Sequence, residues 1–192
     1  MRREIDIVLI GGSAGSTKVL LTVAEGLSSA LQLSIVLIVH RKNSSDFLLG
    51  NLLSTRTTLP VKEAEEKEKI LPGRIYVAPA DYHLLFEKDY TFSLDVSEKI
   101  NFSRPSIDVS FTSAALAYSN RVAGILISGA NADGTDGLKT IHENGGIVAV
   151  QDYKSADTAY MPQYATERIN SVIILSADSI SSFINNLGTK NS

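Results

Sequence analysis

The run Ile5-Asp6-Ile7-Val8-Leu9-Ile10 ends in Gly11-Gly12, and Val19, Leu20, Val23, Ala24 and Leu27 follow at helical spacing. Ser34-Ile35-Val36-Leu37-Ile38-Val39 then repeats the first signature. A short, β-branched run with almost no polar residue suits a strand covered on both faces, as in a parallel sheet between two helix layers. A helix-like stretch from Ser45 to Leu53 continues the alternation. The expected fold class is therefore α/β, a doubly wound, mainly parallel sheet flanked by helices.

The middle of the chain breaks the rhythm. Leu71-Pro72-Gly73 reads as a turn, Arg74 to Pro79 as a strand, and His83 to Glu87 and Thr91 to Leu94 as two more joined by Lys88-Asp89-Tyr90. These segments are expected to form an antiparallel hairpin at one edge of the sheet. Lys62 to Lys69 carries charges of both signs and reads as a solvated loop or short helix. Afterwards the alternation resumes: helix from Ser106 to Tyr118, strand from Val122 to Ile127, helix from Thr135 to Asn144, strand from Ile147 to Val150. A short helix including Gln163 to Arg168, a strand from Val172 to Leu175 and a helix from Ser179 to Leu187 complete the pattern. With no repeat or linker, 192 residues fit one domain over 1–188 and a frayed tail over 189–192.

Composition narrows the function classes. Lys+Arg 18 against Asp+Glu 21 leaves a formal charge of -3, so there is no basic footprint for nucleic acid. The chain has no cysteine, which removes disulfides, thiol nucleophiles and thiolate zinc sites. No apolar run approaches the ~18 residues of a membrane span. The N-terminus has no cleavable signal pattern, so a cytoplasmic protein without membrane insertion is expected. Three scattered histidines, His40, His83 and His142, make a poor metal set. Neither a metal nor another cofactor is expected.

In open parallel sheets, ligands bind beyond the carboxyl ends of the strands. The loop after the first strand, Gly11-Gly12-Ser13-Ala14-Gly15, satisfies G-x-S-x-G between a strand and a helix. That context suits a nucleophilic serine, with helix N–H groups behind it for an oxyanion. A glycine-rich anion cradle and a plain turn are the competing readings, although the dinucleotide fingerprint and the P-loop lysine are absent. The second strand ends at His40-Arg41-Lys42, where a histidine at the rim is placed either to take the serine proton or to hydrogen-bond its own loop. The loop Ser128 to Gly137 offers Asp133, with Asp136 as competitor, to orient that ring. Helix capping is the alternative role for either.

These residues, with Arg74-Ile75-Tyr76-Val77-Ala78-Pro79, Arg104-Pro105-Ser106-Ile107-Asp108, Asp133-Gly134 and Met161-Pro162, give the chain a resemblance to a known family. It resembles the catalytic domain of the chemotaxis protein-glutamate methylesterase (CheB), also described as a receptor glutamine deamidase, over nearly its whole length. The resemblance implies Ser13 as nucleophile, His40 as base and Asp133 as orienting aspartate, with Gly12, Ala14 and Ala130 lining the site. It implies attack on a glutamyl methyl ester, methanol release and hydrolysis of an acyl-enzyme, acting on the cytoplasmic region of methylated chemoreceptors.

The chain departs from the family pattern at Ala14, where threonine is usual, and at Ser16, where glycine is usual. It also departs at Ala130-Asn131-Ala132 and in the neighbours of His40. These departures motivate a second reading, a weakened or inactive member that binds a receptor or signalling partner. A nucleotide-binding protein is the third. Full-length family members carry an N-terminal receiver domain. The catalytic region here starts at Met1, so the expectation is a constitutive enzyme or one governed by a separate phosphorylatable regulator.

Overall fold

A computed structural model describes residues 4–41 and 48–188. The first half holds β1 (Ile7–Gly12), α1 (Ser16–Gly26), β2 (Ser34–Val39), α2 (Leu48–Ser54), β3 (Val61–Glu63), β4 (Ile75–Val77), β5 (His83–Phe86) and β6 (Phe92–Asp95). The second half holds α3 (Ile107–Tyr118), β7 (Val122–Leu126), α4 (Thr135–Glu143), β8 (Ile147–Gln151), α5 (Tyr160–Arg168), β9 (Ile173–Leu175) and α6 (Ile180–Gly188). Seven strands form one sheet in the order β3-β4-β2-β1-β7-β8-β9, and every pairing in it is parallel. The chain winds outward from β1 to one side, then returns beside β1 and winds to the other. The expected doubly wound α/β sheet is what forms.

Alternation along the central strands divides the core between two layers. Val8, Ile10, Ile35 and Leu37 face Val19, Leu20 and Val23 of α1, together with Leu53 of α2 and Ile180 and Ile184 of α6. Ile7, Leu9, Val36 and Ile38 face the other way, into Ile107 and Phe111 of α3, Leu138 and Ile141 of α4 and Met161 of α5. This two-sided burial is why the central strands read as unbroken apolar runs. Each fully buried aliphatic side chain contributes about 1.5–3 kcal/mol, so the three central strands are the most firmly held part of the fold.

Two segments differ from their sequence reading. Lys62 and Glu63, expected in a solvated loop or short helix, lie in β3, a half-buried edge strand parallel to β4. An edge strand accommodates charges, and Lys62 ion-pairs with Glu65 and Glu68 just outside it (2.8 and 2.9 Å). Ile75–Val77, grouped with the hairpin in the sequence reading, belongs to the parallel sheet between β2 and β3. The hairpin itself is β5 against β6, a two-stranded antiparallel sheet of its own. It is fixed by Phe92 edge-on to Tyr76 (5.0 Å between ring centroids) and by Phe86 N–H donating to Ser113 Oγ of α3 (3.1 Å). The short helix expected to include Gln163 to Arg168 is α5, which starts at Tyr160 with Pro162 in its first turn, where its missing N–H costs nothing. The expected start of the helix from Ser45, and the tail over 189–192, lie outside the described residues.

The register sets the site. Ile7 stands opposite Ser34 on one side and Val122 on the other, and Gly12 opposite Val39. The ends of β1, β2 and β7 are therefore level, at the point where the winding direction reverses. Their following loops emerge together.

Candidate active site

Ser13 leaves β1 directly at this rim. Its N–H donates to Ser128 O beyond β7 (2.9 Å), and His40 N–H at the end of β2 donates to Gly12 O (3.1 Å). Two backbone hydrogen bonds thus lace the three loops together. The turn into α1 passes through Gly15 at φ 77, where a Cβ would stand 2.8 Å from Ser128 Oγ and 2.9 Å from Asp157 Cβ. A left-handed conformation and crowding together demand glycine there. Ser13 is half-buried and Ala14 exposed, and no side chain caps α1. The helix presents its positive N-terminal end to this turn.

His40 and Asp133 meet directly. His40 Nε2 lies 2.7 Å from Asp133 Oδ2. Asp133 is fully buried, yet each of its oxygens is served by several donors. Oδ2 also accepts from Ile107 N–H (2.7 Å), and Oδ1 accepts from Ser106 Oγ (3.0 Å) and Asp108 N–H (3.1 Å). The carboxylate therefore caps the N-terminus of α3, a favourable place for negative charge. Burial alone would raise its pKa. The hydrogen bonds from His40, Ile107 and Asp108 outweigh that and hold it at about 2. Asp136, the competitor, is exposed in the first turn of α4.

With Nε2 committed to Asp133, Nδ1 is the ring nitrogen left to act. Ser103 Oγ and Asn131 Nδ2 both approach it at 3.4 Å. Among the described residues no hydrogen bond joins Ser13 Oγ to His40. Ser13 shares the rim through its backbone, and catalytic contacts commonly tighten only when substrate is bound. Gly12 is buried at the end of β1 with its carbonyl taken by His40, and Ala130 is exposed at the start of the Asp133 loop.

Several neighbours carry weight that the residue pattern alone did not reveal. Ser106 caps α3, accepting from Val109 N–H while donating to Asp133. Asp108 reaches across to α4, accepting from Gly137 N–H (2.8 Å), and shares Asn101 Nδ2 with Asp133 (3.2 and 3.5 Å). Burial raises the Asp108 pKa to about 7, and the nearby Asp133 charge adds to the rise. The motif Arg104 to Asp108 signalled this region, but no periodicity assigned its members a task. His83, by contrast, is buried and structural, bonded to Ser106 N–H and Glu98 O. His142 is exposed near the end of α4. Among the described residues no group of three or more histidines and carboxylates is arranged to hold a metal. No described helix is long and apolar enough to cross a membrane.

A cleft of about 400 Å³ opens beside His40, lined by Arg41, Asp81, Lys99, Phe102, Ser103 and Arg104. Arg41 pairs with Glu63 and donates to Ala78 O. A pocket of this size next to a paired histidine and carboxylate suits a polypeptide side chain presented from outside.

The chain matches the family model for CheB methylesterase over residues 8–184. It is 41% identical over 186 residues to a putative protein-glutamate methylesterase/protein-glutamine glutaminase of Leptospira interrogans, covering 97% of this chain and 96% of that one. A protein-glutamate methylesterase/protein-glutamine glutaminase of Thermotoga maritima is 32% identical over 164 residues, 84% of this chain and 48% of the relative. Among solved structures, the crystal structure of the Thermotoga maritima CheB methylesterase catalytic domain superposes with a TM-score of 0.91 at 31% identity. That match covers 95% of this chain and 98% of the other.

Proposed function

The chain belongs to the CheB methylesterase family, and we propose that Ser13, His40 and Asp133 are the catalytic triad of a hydrolase acting on glutamyl methyl esters of chemoreceptors. The observation that carries this reading is the His40–Asp133 pair at 2.7 Å, on loops level with the one bearing Ser13. Asp133 holds the ring by Nε2 and stabilises the imidazolium that forms during attack. His40 Nδ1 takes the Ser13 proton as Oγ adds to the ester carbonyl, and the tetrahedral oxyanion is met by the Ala14 N–H at the head of α1. Collapse expels methanol, which takes the proton back from His40 and leaves an acyl-serine. Water, deprotonated by the same ring, then releases the glutamate carboxylate and free Ser13. Attack on a glutamine side chain follows the same course with ammonia leaving, the deamidation named for the relatives.

The catalytic unit is read as 1–188. Its work would be adaptation of chemoreceptor signalling at their cytoplasmic regions, without a cofactor. The test is methanol release from a methylated receptor fragment by wild type and by Ser13→Ala, His40→Ala and Asp133→Ala. Turnover by wild type and loss in all three is the expected result. Wild-type turnover no greater than that of Ser13→Ala would sink the serine mechanism.

A further inference from the structure

Phe102 is 99% exposed, the most exposed large apolar side chain among the described residues. It occupies a two-residue turn closed by Ile100 N–H to Ser103 O (3.2 Å) and Ser103 N–H to Ile100 O (2.9 Å). Both central residues are left-handed, Asn101 at φ 50 and Phe102 at φ 62. Such a turn favours Asn-Gly, and Asn101 satisfies its first position. A bulky aromatic at the second is doubly disfavoured, by backbone strain and by its contact with water. Strain of this kind, held in place by surrounding bonds, concentrates where a side chain has a task outside the fold. The fold gives Phe102 no packing role. Instead the ring stands at the cleft that His40 lines, one residue from Ser103, whose hydroxyl approaches His40 Nδ1 at 3.4 Å.

Resting on the esterase reading, we propose that Phe102 is the docking residue for the acidic polypeptide segment that carries the ester, packing on an apolar side chain beside the modified glutamate. The chemistry of the cleft selects that occupant. Arg41, Lys99 and Arg104 line it with one carboxylate, Asp81, and because Arg41 is already paired with Glu63 the cations left for a ligand are Lys99 and Arg104. Arg104 gives its guanidinium to the carbonyls of Val96 and Ser97 (2.8 and 2.7 Å), so its charge is not cancelled there, and Lys99 forms no ion pair among the described residues. Val96 and Ile100, 65% and 44% exposed, extend the apolar surface along the same segment. An aromatic anchor within a cationic rim fits a segment of glutamates interrupted by apolar residues.

The experiment measures binding of a purified, fully methylated chemoreceptor cytoplasmic fragment to the full chain carrying Ser13→Ala, which holds substrate without turnover. Adding Phe102→Gly is expected to weaken binding about 10-fold or more, while the thermal midpoint stays level or rises because glycine relaxes the turn. Phe102→Tyr, which keeps the ring and the strain, is expected to retain the affinity. Lys99→Gln is expected to weaken binding and flatten its salt dependence. Equal affinity with and without Phe102→Gly, or equal losses in the glycine and tyrosine variants, would overturn the proposal, as would a parent that does not bind. Phosphonylation of Ser13 in the wild-type chain by a small reagent needs no receptor, so it reports separately on the esterase reading.

Discussion

Asp133 receives His40 Nε2 at 2.7 Å on the same oxygen that accepts Ile107 N–H at 2.7 Å, so one carboxylate both orients the ring and caps α3. The His40–Asp133 pair and the helix N-terminus are one hydrogen-bonded unit. Replacing Asp133 by asparagine puts an amide NH2 among donors. Whichever way it turns, either the ring or the helix N–H groups lose an acceptor. If Asp133 is the orienting carboxylate of the proposed triad, the expected outcome of Asp133→Asn is a kcat lower by about 10^4-fold, as for serine-protease triads whose aspartate becomes an amide. A thermal midpoint lowered by an unfolding cost of about 1–3 kcal/mol should accompany it. Ester turnover and calorimetry on the same preparation check both.

How much of this was legible in the sequence depends on what each residue does. The apolar runs of β1, β2 and β7 gave the parallel sheet, because strands covered on both faces cannot afford polar residues. The loops that follow them made Ser13, His40 and Asp133 candidates, because a switch point collects the loops of its adjoining strands, and the structure brings His40 and Asp133 into contact there. Val61–Glu63 was missed because an edge strand one element away from the core keeps its charges. Ser106 and Asp108 at the start of α3, and Asn101 in the turn before it, were missed as site residues because they act through Asp133, 25 or more residues later in the chain. No periodicity encodes such a contact. Phe102 was invisible for a simpler reason, since an aromatic in a polar loop looks like core until its exposure is known.

Asp108 makes stability depend on pH in the direction opposite to Asp133. Its folded pKa is raised to about 7, so the stability associated with its neutral form is full below the unfolded value of about 3.9 and is lost as pH rises through about 7. Asp108→Asn keeps an acceptor for Gly137 N–H and removes the charge beside Asp133. The variant's thermal midpoint relative to wild type is expected to be higher at pH 8 than at pH 5, by about 2 °C or more. An equal difference at the two pH values would show that the carboxyl does not titrate there.

Asp133 itself gives the acid limb. Its folded pKa of about 2 lies below the unfolded value, so its contribution is complete above about pH 4 and fades as pH falls toward about 2. Over that window the stability advantage of wild type over Asp133→Asn is expected to shrink, on the order of 2 kcal/mol at most. Denaturant unfolding in buffers spanning the window measures it.

Gly137 of α4 sits tight against α3 beside Asp108. A Cβ there would stand 2.6 Å from Phe111 Cβ and 2.8 Å from Asp108 O, which is backbone. Gly137→Ala must push the helices apart or distort the Asp108 link, at a cost of about 1–3 kcal/mol. A lower thermal midpoint, with faster amide exchange at Ile107 and Asp108, is expected. Unchanged exchange at those two amides would show that the cage around Asp133 does not depend on this contact.

The most direct measurement is reaction of the intact chain with a fluorophosphonate, with the adduct located by peptide mass spectrometry in wild type and in His40→Ala. One adduct on Ser13 in wild type, all but lost when the imidazole is removed, is the expected result. An unmodified Ser13, or a Ser13 that reacts equally fast without His40, would contradict a serine activated by that ring.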